Sequence, residues 1–187
     1  MPRRTIDLSE HQMLALSRSA FSALRSALLA DADIAGATYL QEAGYAGSEA
    51  VFASFRRWLR ERMDAEPGEL TLDEFAEMAS DYFESTGWGS LRIGSLRDAV
   101  AMVDSENWGE ADPAAPLDQP GCHLTTGMLA GFFGHVADVP LAVLEVECRS
   151  VGAPRCRFLL GAADVMSHIY EDVERGVAYE EAVAAVA

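Results

Sequence analysis

Apolar positions along the chain change their period about half-way. Over residues 8–29, Leu14, Phe21, Leu24 and Leu28 fall near helical spacing behind a Leu8-Ser9-Glu10 start signal, which predicts a helix. "DADIAGAT" ends it. The Gly-bounded, aromatic "ATYLQEAGYAGS" predicts an extended or short helical stretch leading into a turn. From Ser48, a candidate cap, to Met63, the set Val51, Phe55, Trp58 and Leu59 marks one face of a second helix. After the loop "DAEPGEL", Thr71 with Glu74 at capping-box spacing opens a third helix.

The period then shortens. "GWGSLRIGSLRDAVAMVDSENW" carries β-type segments around Gly and Ser turns, and "EADPAAPLDQPG" holds three of the seven prolines, so it reads as a loop. "CHLTTGMLAGFFGHVAD" reads as a helix despite its glycines, and Leu129, Phe132 and Phe133 give it a bulky face that favours close packing on a neighbour. "VPLAVLEVEC" and "RCRFLLGA" make a β-hairpin through "RSVGAP", and two short helices finish the chain. This order predicts one α+β domain, with helices on one face of a twisted, mainly antiparallel sheet. Within 1–187 its parts are N-terminal helices over 8–86, then sheet, Gly-rich helix and hairpin over 87–161, then a helical tail over 162–187.

Composition narrows the function. Fourteen basic residues against thirty acidic ones give a formal charge of −16, which repels nucleic acid and anionic membranes alike. It suits a neutral or apolar small-molecule ligand, or a basic protein partner. No apolar run reaches the roughly 20 residues of a membrane span, and "MPRRTIDLSEHQ" lacks the apolar core of a secretory signal. With an odd count of three cysteines, the expected compartment is the reducing cytoplasm.

Cys148 and Cys156 lie eight residues apart on opposite arms of the predicted hairpin. Such arms run about 5 Å apart, so two thiols on one face can share a metal. Cys122 opens the Gly-rich helix, and Glu145 and Glu147 precede Cys148. Three thiolates and one carboxylate would make a closed, structural type of zinc site. Strand alternation raises a difficulty: it puts both glutamates on one face and Cys148 on the other, so a shared site needs a bulge or an early strand end. The spacing leaves three readings open: a metal site, a redox pair, or small buried side chains.

The stretch "CHLTTGMLAGFFGHVADVPLAVLEVECRSVGAPRCRF" resembles the core of the 4-vinyl reductase (V4R) domain family, which includes the aromatic-effector sensor domains of some sigma-54-dependent activators. There a Cys starts a Gly-rich helix, a strand ends in Glu-x-x-Cys, and a further Cys follows a Gly turn. The resemblance implies zinc on Cys122, Glu145, Cys148 and Cys156. It also implies the fold shared with transport-particle (TRAPP) subunits, dimerised through N-terminal helices. Weaker echoes are "YLQEAGYAGSEAV", "GWG" at 87–89 and "NWGEAD", the last departing from the sensors' Ser-Trp-Glu-Ala.

In the sensors an apolar pocket binds a small aromatic effector whose hydroxyl meets a His and a Trp. Trp108 matches the Trp, while no histidine lies between His11 and His123 to match the His. Trp88, Phe132, Phe133, Phe83 and Tyr82 are candidate pocket residues, or ordinary core. His123, His135, His11 and His168 read as helix-end or solvated residues. The chain shows no catalytic triad, phosphate loop or dinucleotide fingerprint. The expected function is a zinc-containing sensor that binds a small hydrophobic or aromatic molecule and signals to a downstream protein. A role in tetrapyrrole vinyl reduction and a purely structural assembly subunit are the alternatives.

Overall fold

The computed structural model describes residues 8, 13–97 and 99–186. Six helices and four strands follow one another as α1 (Arg18–Ala30), α2 (Gly36–Met63), α3 (Leu72–Ser85), β1 (Arg92–Arg97), β2 (Val100–Ser105), α4 (His123–Ala137), β3 (Ala142–Glu147), β4 (Cys156–Gly161), α5 (Ala163–Glu174) and α6 (Tyr179–Ala185). The strands form one antiparallel sheet in the order β1-β2-β4-β3.

The α+β class holds, but helices cover both faces of the sheet, not one. On the first face α2, α3 and α4 bury Phe55, Leu59, Tyr82, Leu129 and Phe132 against Val103, Phe158 and Leu160. On the second, α5 and α6 bury Met166, Ile169, Ala182 and Val183 against Val100 and Leu159. Alternation along β4 supplies both layers: Phe158 and Leu160 point one way and Leu159 the other. The helical tail is thus a second layer.

Three local expectations change. Among residues 8–29, positions 9–12 lie outside the described residues, and helix starts only at Arg18, where the Ser17 Oγ accepts the Ala20 N–H. Leu14 is therefore not on a helix and is 94% exposed. The expected turn before Ser48 is absent, because α2 runs unbroken through Gly44 and Gly47. Ser48 is no cap. Its hydroxyl donates to the Tyr45 carbonyl at 2.7 Å, the bond of a mid-helix serine. The Thr71 capping box is present: Oγ1 accepts the Glu74 N–H, and the Glu74 carboxylate accepts the Thr71 N–H at 2.9 Å. Among the described residues no helix is long and apolar enough to cross a membrane.

Candidate metal centre

Three local devices aim the cysteines at one point. Cys122 ends the Pro-rich loop and takes the N-cap position of α4, where its side chain makes no capping bond and is free to face the hairpin. Cys148 follows β3 and closes a tight turn, its carbonyl accepting the Val151 and Ala153 N–H groups at 3.1 and 3.2 Å. Gly152 completes that turn at φ 89, a conformation that favours glycine. Cys156 then begins β4.

The alternation difficulty is resolved by a bulge. Glu145 pairs with Phe158 and Glu147 with Arg157, so the β3–β4 register slips between the two glutamates. Up to Glu145 the strand alternates, with Val143 on the α4 side and Leu144 on the α5–α6 side. Past the bulge, Glu147 turns to the α5–α6 side and Cys148 to the α4 side. Glu145 and Cys148 therefore share a face, and the two acids part.

Cys122, Glu145, Cys148 and Cys156 are all buried, and one donor atom from each lies within 4.8 Å of the others. The Cys122 sulfur is 3.8 Å from that of Cys148 and 4.0 Å from that of Cys156. A tetrahedron with metal–sulfur bonds of about 2.3 Å has sulfur–sulfur edges of about 3.8 Å. A disulfide needs about 2.05 Å. The Glu145 Oε2 accepts the Cys122 N–H at 2.8 Å, while its Oε1 is buried with no hydrogen-bond partner. An orphaned carboxylate oxygen beside three thiols is the fourth donor that a divalent cation would use, so the residues fit a metal ion.

Protonation points the same way. Hydrogen bonds from the Cys122 and Cys156 thiols hold Cys148 well below the ordinary thiol range, with help from the Gly121 and Ser150 N–H groups. Burial pushes Cys122 up. At Cys156 the Cys122 contact lowers the thiol, but the Cys148 contact and burial outweigh it and raise it. Burial and the neighbouring Cys148 charge raise Glu145. Burial and mutual contact thus disfavour several separate negative charges in the cluster, and a cation binding there would displace protons from its donors.

Glu147 has a different task. It accepts Arg155 Nη2 at 2.9 Å and the Tyr179 hydroxyl at 2.6 Å. Arg157 meets Asp104 through two bonds of 2.7 Å and donates to Tyr179 at 2.9 Å. These side chains hold α6 onto the sheet, back to back with the cysteines.

The aromatic candidates are brought together. Phe83 lies 5.4 Å from Tyr82, 5.1 Å from Phe132 and 5.7 Å from Trp108, and Trp88 stacks on Trp108 at 5.5 Å. Phe132 and Phe133 meet edge-on at 5.3 Å. The rings fill this space with one another. A cavity of about 350 Å³ lies elsewhere, in the α2–α4 groove by Gln41, Tyr45, Thr126 and Ala130. Trp108 Nε1, the donor that the sensor resemblance assigns to an effector hydroxyl, donates instead to Thr125 Oγ1 at 2.6 Å. His123 starts α4 outside the four-donor set, His135 stacks on Phe52, the exposed His168 lies 3.7 Å from Asp172, and His11 is outside the described residues.

Sequence reading missed Glu110. Its buried carboxylate caps α4, accepting the Leu124 N–H, the Thr125 N–H and the Thr125 hydroxyl. The available signal was an acid upstream of a Thr-Thr helix start, too far in sequence for a capping box. Burial pushes its carboxyl up to about 7, against those hydrogen bonds and Arg25. The folded state therefore holds a proton that the unfolded chain releases near 4.5. This contribution to stability is complete below about 4.5 and is lost as pH rises through about 7. Urea unfolding at pH 5 and pH 7.5 should show the wild type losing about 1–3 kcal/mol more than Glu110→Gln across that interval. Equal losses in the two proteins would remove Glu110 as the cause.

A Cys at the start of a Gly-rich helix, a Glu-x-x-Cys strand end and a Cys after the Gly turn thus meet at one point, and this stretch is similar to a known domain. Residues 109–162 match the V4R domain. This segment contains the whole Cys122–Glu145–Cys148–Cys156 cluster, the Glu110 cap, α4 and the β3–β4 hairpin. Solved structures extend the likeness beyond it. The phenol-responsive sensory domain of the transcription activator PoxR, with phenol, has a TM-score of 0.56 at 19% identity, over 90% of this chain and 83% of that one. Trafficking protein particle complex subunit 3 from Naegleria fowleri, covalently bound to palmitic acid, has a TM-score of 0.60 at 13% identity, over 77% and 91%. A vinyl-4-reductase family protein from Methanocaldococcus jannaschii has a TM-score of 0.47 at 19% identity; 63% of this chain is covered, and under two thirds, 66%, of that one. No curated protein matches significantly. The fold around the V4R segment is that of the sensory domain and the TRAPP subunit.

Proposed function

We propose that this chain is a zinc-containing sensor domain that binds a small hydrophobic or aromatic molecule and passes the signal to a partner protein. The observation that carries the reading is the buried Cys122–Glu145–Cys148–Cys156 cluster, which ties the hairpin to the first turn of α4 inside the V4R segment. Zinc suits the set because it accepts three thiolates and a carboxylate in a closed tetrahedron. With all four positions filled by protein, its task here is to hold structure.

The same first turn of α4 leads to the aromatic core. Glu110 caps it, Thr125 bonds Glu110, and Trp108 bonds Thr125. A ligand that enters between the rings of Trp88, Trp108, Phe83, Tyr82, Phe132 and Phe133 would press on α4, whose start the metal fixes. The fold neighbours that carry phenol and palmitic acid support an apolar ligand for this one. Such a ligand acts as a signal only if it binds two conformations with different affinity. The exposed apolar side chains Leu14, Leu16, Leu24, Tyr39 and Tyr45, before and along α1 and α2, support a homodimer through the N-terminal helices. Three unpaired thiols support a cytoplasmic setting.

The test is a melting-temperature screen of the metal-bound protein with phenol and other small aromatics, paired with sedimentation. A saturable upward shift is expected. A second reading, a structural assembly subunit, draws on the closed packing of the aromatic core. It would be preferred if no compound shifts the melt while the protein self-associates.

A further inference from the structure

Helix α1 carries a buried cation. Arg25 is its one fully buried residue, while Phe21, Ser22, Leu28 and Leu29 are only partly covered. The Arg25 Nη1 donates to the main-chain carbonyl of Glu110. Its Nε and Nη2 are buried and have no acceptor among the described residues.

Those two nitrogens lie side by side on one edge of the planar guanidinium. That edge is the one a carboxylate fills with both oxygens through two parallel hydrogen bonds. Leaving it unpaired in the interior is strongly unfavourable, so its retention needs a reason. The nearby acids do not supply the partner. Both oxygens of Glu110 are taken by Leu124 and Thr125, and Asp112 is held by Ser22 Oγ at 2.8 Å and by the Ala114 N–H at 3.0 Å. The charge of Arg25 reaches both acids, yet neither turns towards it.

We propose that the Nε–Nη2 edge of Arg25 receives the carboxylate of a small organic acid, with α1 as its cover. This rests on the small-molecule reading above and narrows it, from phenol-type effectors to carboxylic acids. α1 suits the part of a cover because none of its own apolar side chains is fully buried. The site also connects to the sensor core: Arg25 holds the Glu110 carbonyl, and the Glu110 carboxylate leads through Thr125 to Trp108. A net charge of −16 favours a single carboxylate over a polyanion.

Calorimetric titration of the full chain with benzoate, phenol and hexanoate, on wild type, Arg25→Lys and Arg25→Met, tests the assignment. Benzoate should bind wild type at least about tenfold more tightly than phenol. Lysine keeps the charge but loses the fork, so Arg25→Lys should weaken benzoate by about tenfold and leave phenol unchanged. Arg25→Met should abolish acid binding, and without ligand it should melt no lower than wild type. Equal benzoate affinity in wild type and Arg25→Lys would overturn the proposal, as would failure of both acids to bind wild type. Phenol binding alone, alike in all three proteins, would sink the Arg25 site and spare the aromatic sensor. Hexanoate binding that depends on Arg25, with neither aromatic bound, would uphold the site and remove the aromatic ligand. A much lower melt for Arg25→Met would mark a structural anchor instead, and Arg25→Lys then carries the binding test.

Discussion

Replacing Cys148 by serine will release the metal and lower the melting temperature by roughly 10 °C or more. Cys148 is central to the cluster: it follows the bulge, closes the turn and is the thiol that the neighbouring thiols lower. A serine hydroxyl is far less acidic and offers no soft donor. Structural zinc contributes about 10 kcal/mol or more in small domains that cannot fold without it. This chain has other supports, since β4 also pairs with β2 and α4 packs on α2, so only part of that loss should appear. Several kcal/mol is expected, and each moves the midpoint of a domain this size by about 2–4 °C. Elemental analysis with calorimetry checks it. Chelator-free wild type should carry about one metal per chain, and Glu147→Gln should keep it, because Glu147 serves Arg155 and Tyr179. Wild type that arrives metal-free with three freely titrating thiols would end the zinc reading.

The bulge explains what the sequence could and could not reveal about this site. The ligand types and spacing were legible, and so was the conflict between Glu145 and Cys148 under strict alternation. That conflict could have been resolved by an early strand end or by an extra residue, and both use the same local sequence. The choice of Glu145 over Glu147 follows from which acid finds donors on the far face, and Arg155 and Tyr179 lie 8 and 32 residues from Glu147. The second helical layer was hidden for a related reason. Leu159, between Phe158 and Leu160, makes β4 apolar on both faces, and a continuous apolar run does not announce what covers each side. Arg25 and Glu110 were invisible because a buried charge in a helix or loop looks like a solvated one until its surroundings are known. The turn expected before Ser48 does not form because Gly44 is a helix–helix contact, not a breaker, and Gly47 sits within the same unbroken helix.

That distinction between glycines gives the second large effect. Gly127→Ala should destabilise the protein by about 3 kcal/mol or more, whereas Gly47→Ala should stabilise it by up to about 1 kcal/mol. Both positions are interior to helices, so propensity alone predicts a gain at each. Their surroundings differ. A Cβ on Gly47 would meet nothing within 4 Å, but one on Gly127 would lie 1.9 Å from the Gln41 carbonyl oxygen and 2.9 Å from the Tyr45 nitrogen. Those neighbours are helix backbone and cannot rotate away, so α4 and α2 must separate along their length. The contact repeats four residues on, where a Cβ on Gly131 would fall 2.0 Å from the Ser48 hydroxyl, and Gly44 meets the Leu124 carbonyl in the same way. Two pairs of small residues at a spacing of four, Gly44 with Ser48 and Gly127 with Gly131, thus bring two helix backbones together. Urea denaturation of the two variants decides the matter, and similar stabilities for both would refute the close-packing account. Because Cys122 stands at the start of α4, Gly127→Ala should also weaken metal retention under chelator challenge. Gly47→Ala should leave retention unchanged, which separates a shift of α4 from a general loss of stability.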